Sequence, residues 1–324
     1  MAVVAHPQSN SKDGPRPINI NKDIPQILRL LELCFGSAIH GDGRHILTSD
    51  SLNQSPAFLW RMTPAAGKLA QGIVWEVNGR IVGNVTLLTT KVPGRFLIVN
   101  VAVHPDFRRQ NIAKNMMVAV TQQVKKQKGR EILLQVVKSN TAANMLYQSL
   151  NYDRLGSITS WYTNLSRIRR IGVEPHMPEI RELRSKEWRE AYRLDTSVLS
   201  PQLSWPEPPD PNMYKFGIFD KLANFLNGRQ IETWVTRDNS QNLTGLGSIV
   251  SEWGRLHHAA LRVHPDYQGQ LERPLLAKLV RRLHYLPRRN IRLDHPDDDE
   301  IVNRLLKEAN FQPQRTLTHM KLEL

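Results

Sequence analysis

Apolar and polar positions over the first 170 residues change rhythm several times, and each change marks an element. Ile24, Ile27, Leu28, Leu31 and Leu33 recur at helical spacing behind Asp23. This predicts a helix capped by Asp23, with Pro25 in its first turn, after a short strand over Arg16–Ile20. Ile73–Val77 and Ile81–Leu88 are strand runs on either side of Asn78-Gly79, two residues that suit the positive φ of a hairpin turn. Phe96–Val103 is a continuous apolar run, the pattern of a strand buried on both faces. A helix over 113–128 places Ile112, Met116, Val120 and Val124 at four-residue intervals. A strand over Glu131–Val137, a helix over Ala142–Leu150 and a strand over Ser157–Asn164 complete the series.

The second half repeats this plan. Val101-Ala102-Val103-His104-Pro105-Asp106-Phe107-Arg108 recurs 160 positions later as Leu261-Arg262-Val263-His264-Pro265-Asp266-Tyr267-Gln268. Leu146-Tyr147-Gln148-Ser149-Leu150-Asn151-Tyr152 recurs 159 positions later, ending in Ala309-Asn310-Phe311. Two landmarks at one spacing predict two copies of a single α/β unit. The expected division is a flexible leader over 1–15, a first copy over 16–170 and a second over 171–324. In the second copy the pattern predicts strands at Ile180–Leu183, Glu232–Thr236 and Gly247–Ser251. Helices are expected over Lys186–Leu194 and after Asp266. Five prolines between Pro201 and Pro211 mark a loop between them.

Charge sharpens the contrast between the copies. The net charge of the chain is +14. Residues 1–172 hold 22 Lys and Arg against 9 Asp and Glu, whereas residues 173–324 hold 22 against 21. The excess in the first half points to an anionic partner. The single cysteine, Cys34, rules out a disulfide within the chain and reads as a buried thiol. No run is long and apolar enough for a membrane helix, and a cytoplasmic protein is expected. His295-Pro296-Asp297-Asp298-Asp299-Glu300 places carboxylates at a helix start, where capping explains them without a metal. Lys125–Arg130 reads as a solvated helix end stopped by Gly129, and His40 and His45 as part of a loop.

The chemistry centres on the segment after Val103. Pro105 ends the strand, and the loop feeds a helix N-terminus whose unpaired amides and dipole favour phosphate. Arg108, Arg109 and Lys114 add positive charge. The segment Arg108-x-x-Asn111-x-Ala113 resembles the acyl-CoA loop of the GCN5-related N-acetyltransferase superfamily, Arg/Gln-x-x-Gly-x-Gly/Ala, with Asn111 in place of the first glycine. Asn tolerates left-handed backbone, so the turn is expected to survive. Asn140-x-x-Ala143-x-x-Leu146-Tyr147-x-x-Leu150-Asn151-Tyr152 resembles that superfamily's second motif.

The resemblance implies two tandem α/β (α+β) domains with mixed central sheets flanked by helices. It implies acetyl-CoA as co-substrate, no metal, and an amine acceptor: a small molecule, a protein N-terminus or a lysine. Main-chain groups of Val101 and Val103, with Ala102 between them, would pair with the pantetheine arm. Amides around Arg108, Arg109, Gln110, Asn111, Ile112, Ala113 and Lys114 would hold the pyrophosphate. Asn140, beside Ala143, would hydrogen-bond the arm, and Tyr147 would protonate the leaving thiolate. Relatives that act on N-termini often carry a glutamate where this chain has Gln135, so a base is sought elsewhere, with Glu76 and His104 as candidates. The second copy has Leu271, Glu272 and Arg273 in its loop and Leu306 for Tyr147, and is expected to be catalytically silent. Two other readings stand beside this one: a non-catalytic acyl-CoA-binding or scaffold protein, and nucleic-acid binding through the basic half, which lacks interleaved aromatics.

Overall fold

The computed structural model describes residues 13–39, 71–172, 178–200, 202–204, 209–215, 217, 226 and 228–324. His40 and His45 lie outside the described residues, as does most of the leader. By their contacts the described residues group into two compact units. The first takes in the chain up to Gln135, Ala142–Asp153 and Met320–Leu324. The second takes in Val136–Thr141 and Arg154–His319.

In the first unit, β1 (Gly14–Pro17), β2 (Gly72–Val77), β3 (Arg80–Thr89) and β4 (Arg95–Val103) form an antiparallel series, and β5 (Glu131–Val137) joins β4 in parallel. Helix α1 (Ile20–Ile39) covers one face, packing Ile27, Leu30 and Leu31 on Val74, Ile81 and Ala102. Helix α2 (Ile112–Lys126) covers the other, its stripe of Ile112, Met116, Val120 and Val124 fully buried as the spacing predicts. Met116 lies against Gly83 so closely that an added Cβ would meet its sulfur at 2.9 Å. Asn78 and Gly79 take φ of 50° and 77°, the turn expected between β2 and β3.

Three local expectations change. The first strand ends before Ile18, and α1 starts at Ile20 rather than behind Asp23. Asp23 is fully buried within the helix, where it accepts the Asn19 amide at 2.7 Å and pairs with Arg16. Arg16 also binds Glu76, so one guanidinium serves two buried carboxylates. At the end of α2 the left-handed residue is Lys128, φ 58°, while Gly129 returns its amide to Val124 O. Gly129 is needed for a different reason: a Cβ there would stand 2.2 Å from Val124 Cγ1.

Helix α3 (Thr141–Gln148) follows β5, and β6 (Asp153–Asn164) pairs antiparallel with β11 (Asn290–Pro296) of the second unit. That unit's strands run in the order β12 (Gln312–Glu323), β6, β11, β10 (His257–Val263), β9 (Leu243–Glu252), β8 (Arg229–Arg237), β7 (Arg181–Glu182). Helices α5 (Glu272–Leu283) and α6 (Glu300–Glu308) pack on one face with Trp234, Leu261 and Leu293. Helix α4 (Trp188–Val198) packs Ala191 and Leu194 on the other, against Val235 and Leu246. Asp299 caps α6 by accepting the Val302 amide, as its composition suggested. Helix α4 and strand β9 both extend past their expected ends.

Candidate functional site

Strand β4 is where the first unit opens. Its parallel ladder with β5 ends at Ile98–Leu134, yet β4 continues to Val103 and β5 to Val137. Phe96, Leu97 and Ile98 are buried, whereas Val99, Asn100 and Val101 are half-buried, so the apolar run is not covered along its whole length as its composition suggested. A bulge lies at this point: the register against β3 shifts between Asn84 and Thr86, and Asn100 takes φ of 55°. Asn84, fully buried, holds the bulge by donating from Nδ2 to Asn100 O at 2.9 Å. Neither asparagine belongs to the motifs that point to the site. A signal exists all the same, since Asn100 is the one polar residue inside Phe96–Val103, and polar breaks in strand patterns often mark bulges.

Beyond Val103, His104 starts a short 3-10 turn over Pro105–Phe107, its Nδ1 facing the Asp106 amide. Its Nε2 lies 2.8 Å from Arg80 Nη2, so its lone pair is taken by the guanidinium. Arg108 turns back to donate from Nε to Val103 O at 3.3 Å. Arg109 and Asn111 both adopt left-handed backbone, φ 62° and 59°. Alternation of this kind turns successive amides toward one side, as in anion-binding nests. Helix α2 then begins with no carboxylate in its first turn and no side-chain cap from Asn111. The amides of Ile112, Ala113 and Lys114 therefore have no intrahelical acceptor. Arg108, Arg109, Gln110, Asn111 and Lys114 are exposed.

Of the other residues singled out from the sequence, Ala143 and Tyr147 belong to the first unit and Asn140 to the second. β4 and β5 run parallel, so α2 and α3 both start from the carboxyl ends of neighbouring strands, where open α/β sheets take their ligands. Tyr147 lies on α3, buried to 5% exposure, its ring 6.0 Å from that of Tyr152. Burial pushes its phenol up to about 12. Asn140 is exposed just ahead of α3, in the segment grouped with the second unit. Glu76 is spent on Arg16 at 2.5 Å and His104 on Arg80, so neither candidate base is free in this arrangement. Cys34 is half-buried rather than buried, with Sγ 3.5 Å from Val103 O, and burial pushes its thiol up.

Residues 28–152 match the family model for the acetyltransferase (GNAT) family. The first copy belongs to that family. No curated protein matches the sequence. Among solved structures, a GCN5-related N-acetyltransferase from Sphaerobacter thermophilus is 14% identical with a TM-score of 0.55, over 95% of this chain and 95% of that one. The glucosamine N-acetyltransferase region of a fungal multi-domain beta-N-acetylglucosaminidase is 13% identical with a TM-score of 0.57, over 97% of this chain and 38% of that one. A tandem GNAT protein from the clavulanic acid biosynthesis pathway is 16% identical over 96% of this chain and 98% of that one, with a TM-score of 0.49. The first two share the fold across both copies.

The second copy of this tandem GNAT fold has the same elements but a different loop. β10 meets β9 in unbroken register, with no bulge, and its ladder to β11 ends at Ala259–Leu293. Gly269 is left-handed at φ 83°, but Leu271, where the GNAT copy has Asn111, is right-handed at φ −105°. Glu272 Oε1 accepts the Gly269 amide at 3.0 Å. A carboxylate of the chain thus occupies a loop amide whose counterpart, that of Arg109, has no such carboxylate among the described residues. Leu306 stands in the core at the position of Tyr147. Among the described residues no three metal-ligating side chains are grouped, and no helix is long and apolar enough to cross a membrane.

Proposed function

We propose that the first copy transfers an acetyl group from acetyl-CoA to a primary amine. Acetyl-CoA supplies the group as an activated thioester with a thiolate leaving group. The reading rests on one observation: the left-handed residues Arg109 and Asn111 lead into a helix whose first turn holds no carboxylate, while the second copy fills the equivalent corner with Glu272. Amides from Arg109 to Lys114 hold the pyrophosphate, and the three cations of the loop, Arg108 among them, strengthen the field. The uncovered edge of β4 at Val101, Ala102 and Val103 takes the pantetheine arm as an added strand, with Ala143 beside it. Tyr147, raised to about 12 by burial, is protonated near neutral pH. A phenol this weak is a poorer acid than a thiol near 8.5. Tyr147 therefore acts by donating a hydrogen bond to the developing thiolate rather than by surrendering its proton outright. With Glu76 and His104 occupied and Gln135 unable to accept a proton, the attacking amine loses its proton to water or to a group elsewhere in the chain.

Release of free thiol from acetyl-CoA, followed across polyamines, aminoglycosides, a lysine peptide and a free peptide N-terminus, tests the reading. One class is expected to turn over. Tyr147→Phe is expected to lower kcat by ~10–100-fold with KM for acetyl-CoA within about threefold. Full activity of that variant refutes the role given to Tyr147. The occupied candidate bases favour one second reading, a GNAT copy that binds acyl-CoA without turning it over. Calorimetric binding of coenzyme A with no thiol release on any amine selects it, and no binding by a folded chain refutes both.

A further inference from the structure

The second copy has a cleft beside its own loop, and its lining is acidic. A cavity of about 520 Å³ is bounded by the end of β10, the start of α5, the end of β11 and the start of α6. Two helix N-termini face it, and the chain already neutralises both. Glu272 Oε1 takes the Gly269 amide, and Asp299 Oδ1 takes the Val302 amide at 3.0 Å. Asp298 and Glu300 add two exposed carboxylates to the lining. The one arginine there, Arg262, is bound to Asp195 at 2.7 Å. An anion would be repelled.

Two of the residues that line it, Glu272 and His295, each carry a buried polar atom without a partner. Glu272 Oε2 and His295 Nδ1 are buried with no hydrogen bond among the described residues, in side chains 2% and 5% exposed. His295 Nε2 lies 2.8 Å from Asp299 Oδ2, and burial lowers the ring's pKa. The neutral ring donates from Nε2 to that carboxylate, which leaves Nδ1 as a lone pair. Both orphaned atoms are acceptors, and a buried acceptor without a donor is costly. The missing partner is therefore a donor, and the carboxylates around it call for a positive one.

We infer that this cavity binds a small organic ammonium, whose N–H groups satisfy Glu272 and His295 and whose charge offsets the surrounding carboxylates. The ligand is a compact aliphatic amine of the polyamine type, which the cavity has ample room to admit.

Calorimetric titration of the full chain with putrescine, without acetyl-CoA, tests this independently of the first copy. Saturable binding that weakens as salt is raised is expected, with no binding of butane-1,4-diol, which has the same length and no charge. Glu272→Gln keeps a carbonyl for the Gly269 amide and removes the charge, and is expected to weaken binding at least ~10-fold. Asp298→Asn with Glu300→Gln alters exposed groups only, so folding is not at risk, and is expected to weaken binding ~2–5-fold. Absence of putrescine binding by the folded chain, equal binding of the diol, or unchanged affinity in Glu272→Gln overturns the inference. Displacement of putrescine by an equal concentration of Mg²⁺ overturns it too, in favour of a metal.

Discussion

Replacing Asn111 by alanine isolates the backbone term in the loop. Asn111 is exposed, and its side chain caps nothing, so truncation removes no contact the structure shows. What remains is its φ of 59° and ψ of 11°. Left-handed backbone costs an ordinary L-residue about 1–2 kcal/mol, and asparagine less because its side chain tolerates the region. Asn111→Ala should therefore cost about 1 kcal/mol, whereas Asn111→Gly should cost nothing. The second copy shows where the loop can go instead: Leu271, at the matching position, is right-handed. If the alanine loop holds its shape, thermal denaturation reports the loss, with Tm lower by about 2–4 °C. If it relaxes toward the Leu271 form, stability is spared and coenzyme A affinity falls ~5-fold as the amides turn away. The two losses should sum to about 1 kcal/mol. Alanine and glycine variants that match in both stability and coenzyme A affinity would refute the reasoning.

Two further outcomes concern the ionic framework. Arg16→Met strands Asp23 and Glu76, buried to 0% and 3% exposure, and should destabilise the first unit by about 3 kcal/mol. Adding Asp23→Asn and Glu76→Gln should recover part of that in urea denaturation, and no recovery would show that lost charge pairing is not the cause. Glu187 is held at about 2 by Arg181, by the Arg184 amide and by Arg237. A carboxylate lowered on folding stabilises above its ordinary range and loses that contribution as pH falls through its folded value. Acid denaturation should thus draw on Glu187 between about pH 4.5 and pH 2, and Glu187→Gln should remove that part of the pH dependence.

Features written in neighbouring residues are legible in the sequence. The Asn78-Gly79 turn, the buried stripe of α2, the Asp299 cap and the left-handed Asn111 each depend on a few adjacent positions and on local sterics. Asp23 is harder, because its role as an N-cap or as a buried partner turns on Arg16 and Glu76, the latter far along the chain. His104 and Glu76 read as free bases for the same reason. Nothing near them in sequence shows that Arg80 and Arg16 take up their lone pairs. The splay of β4 from β5 and the bulge at Asn100 decide which edge of the first unit lies open, and only Asn100 hints at them.

Amino-acid order alone dictated two copies of one α/β unit, the basic loop of the first and the carboxylate, Glu272, in the loop of the second. Tertiary structure decided which strand completes which sheet. β6, the last strand of the first copy, pairs with β11, and Met320–Leu324 group with the first unit, where the Leu324 amide reaches Arg130 O. Side-chain alternation marks the face a strand buries, but the hydrogen bonds along its edge come from a backbone common to every residue. The choice of neighbour is therefore made by how the whole chain packs.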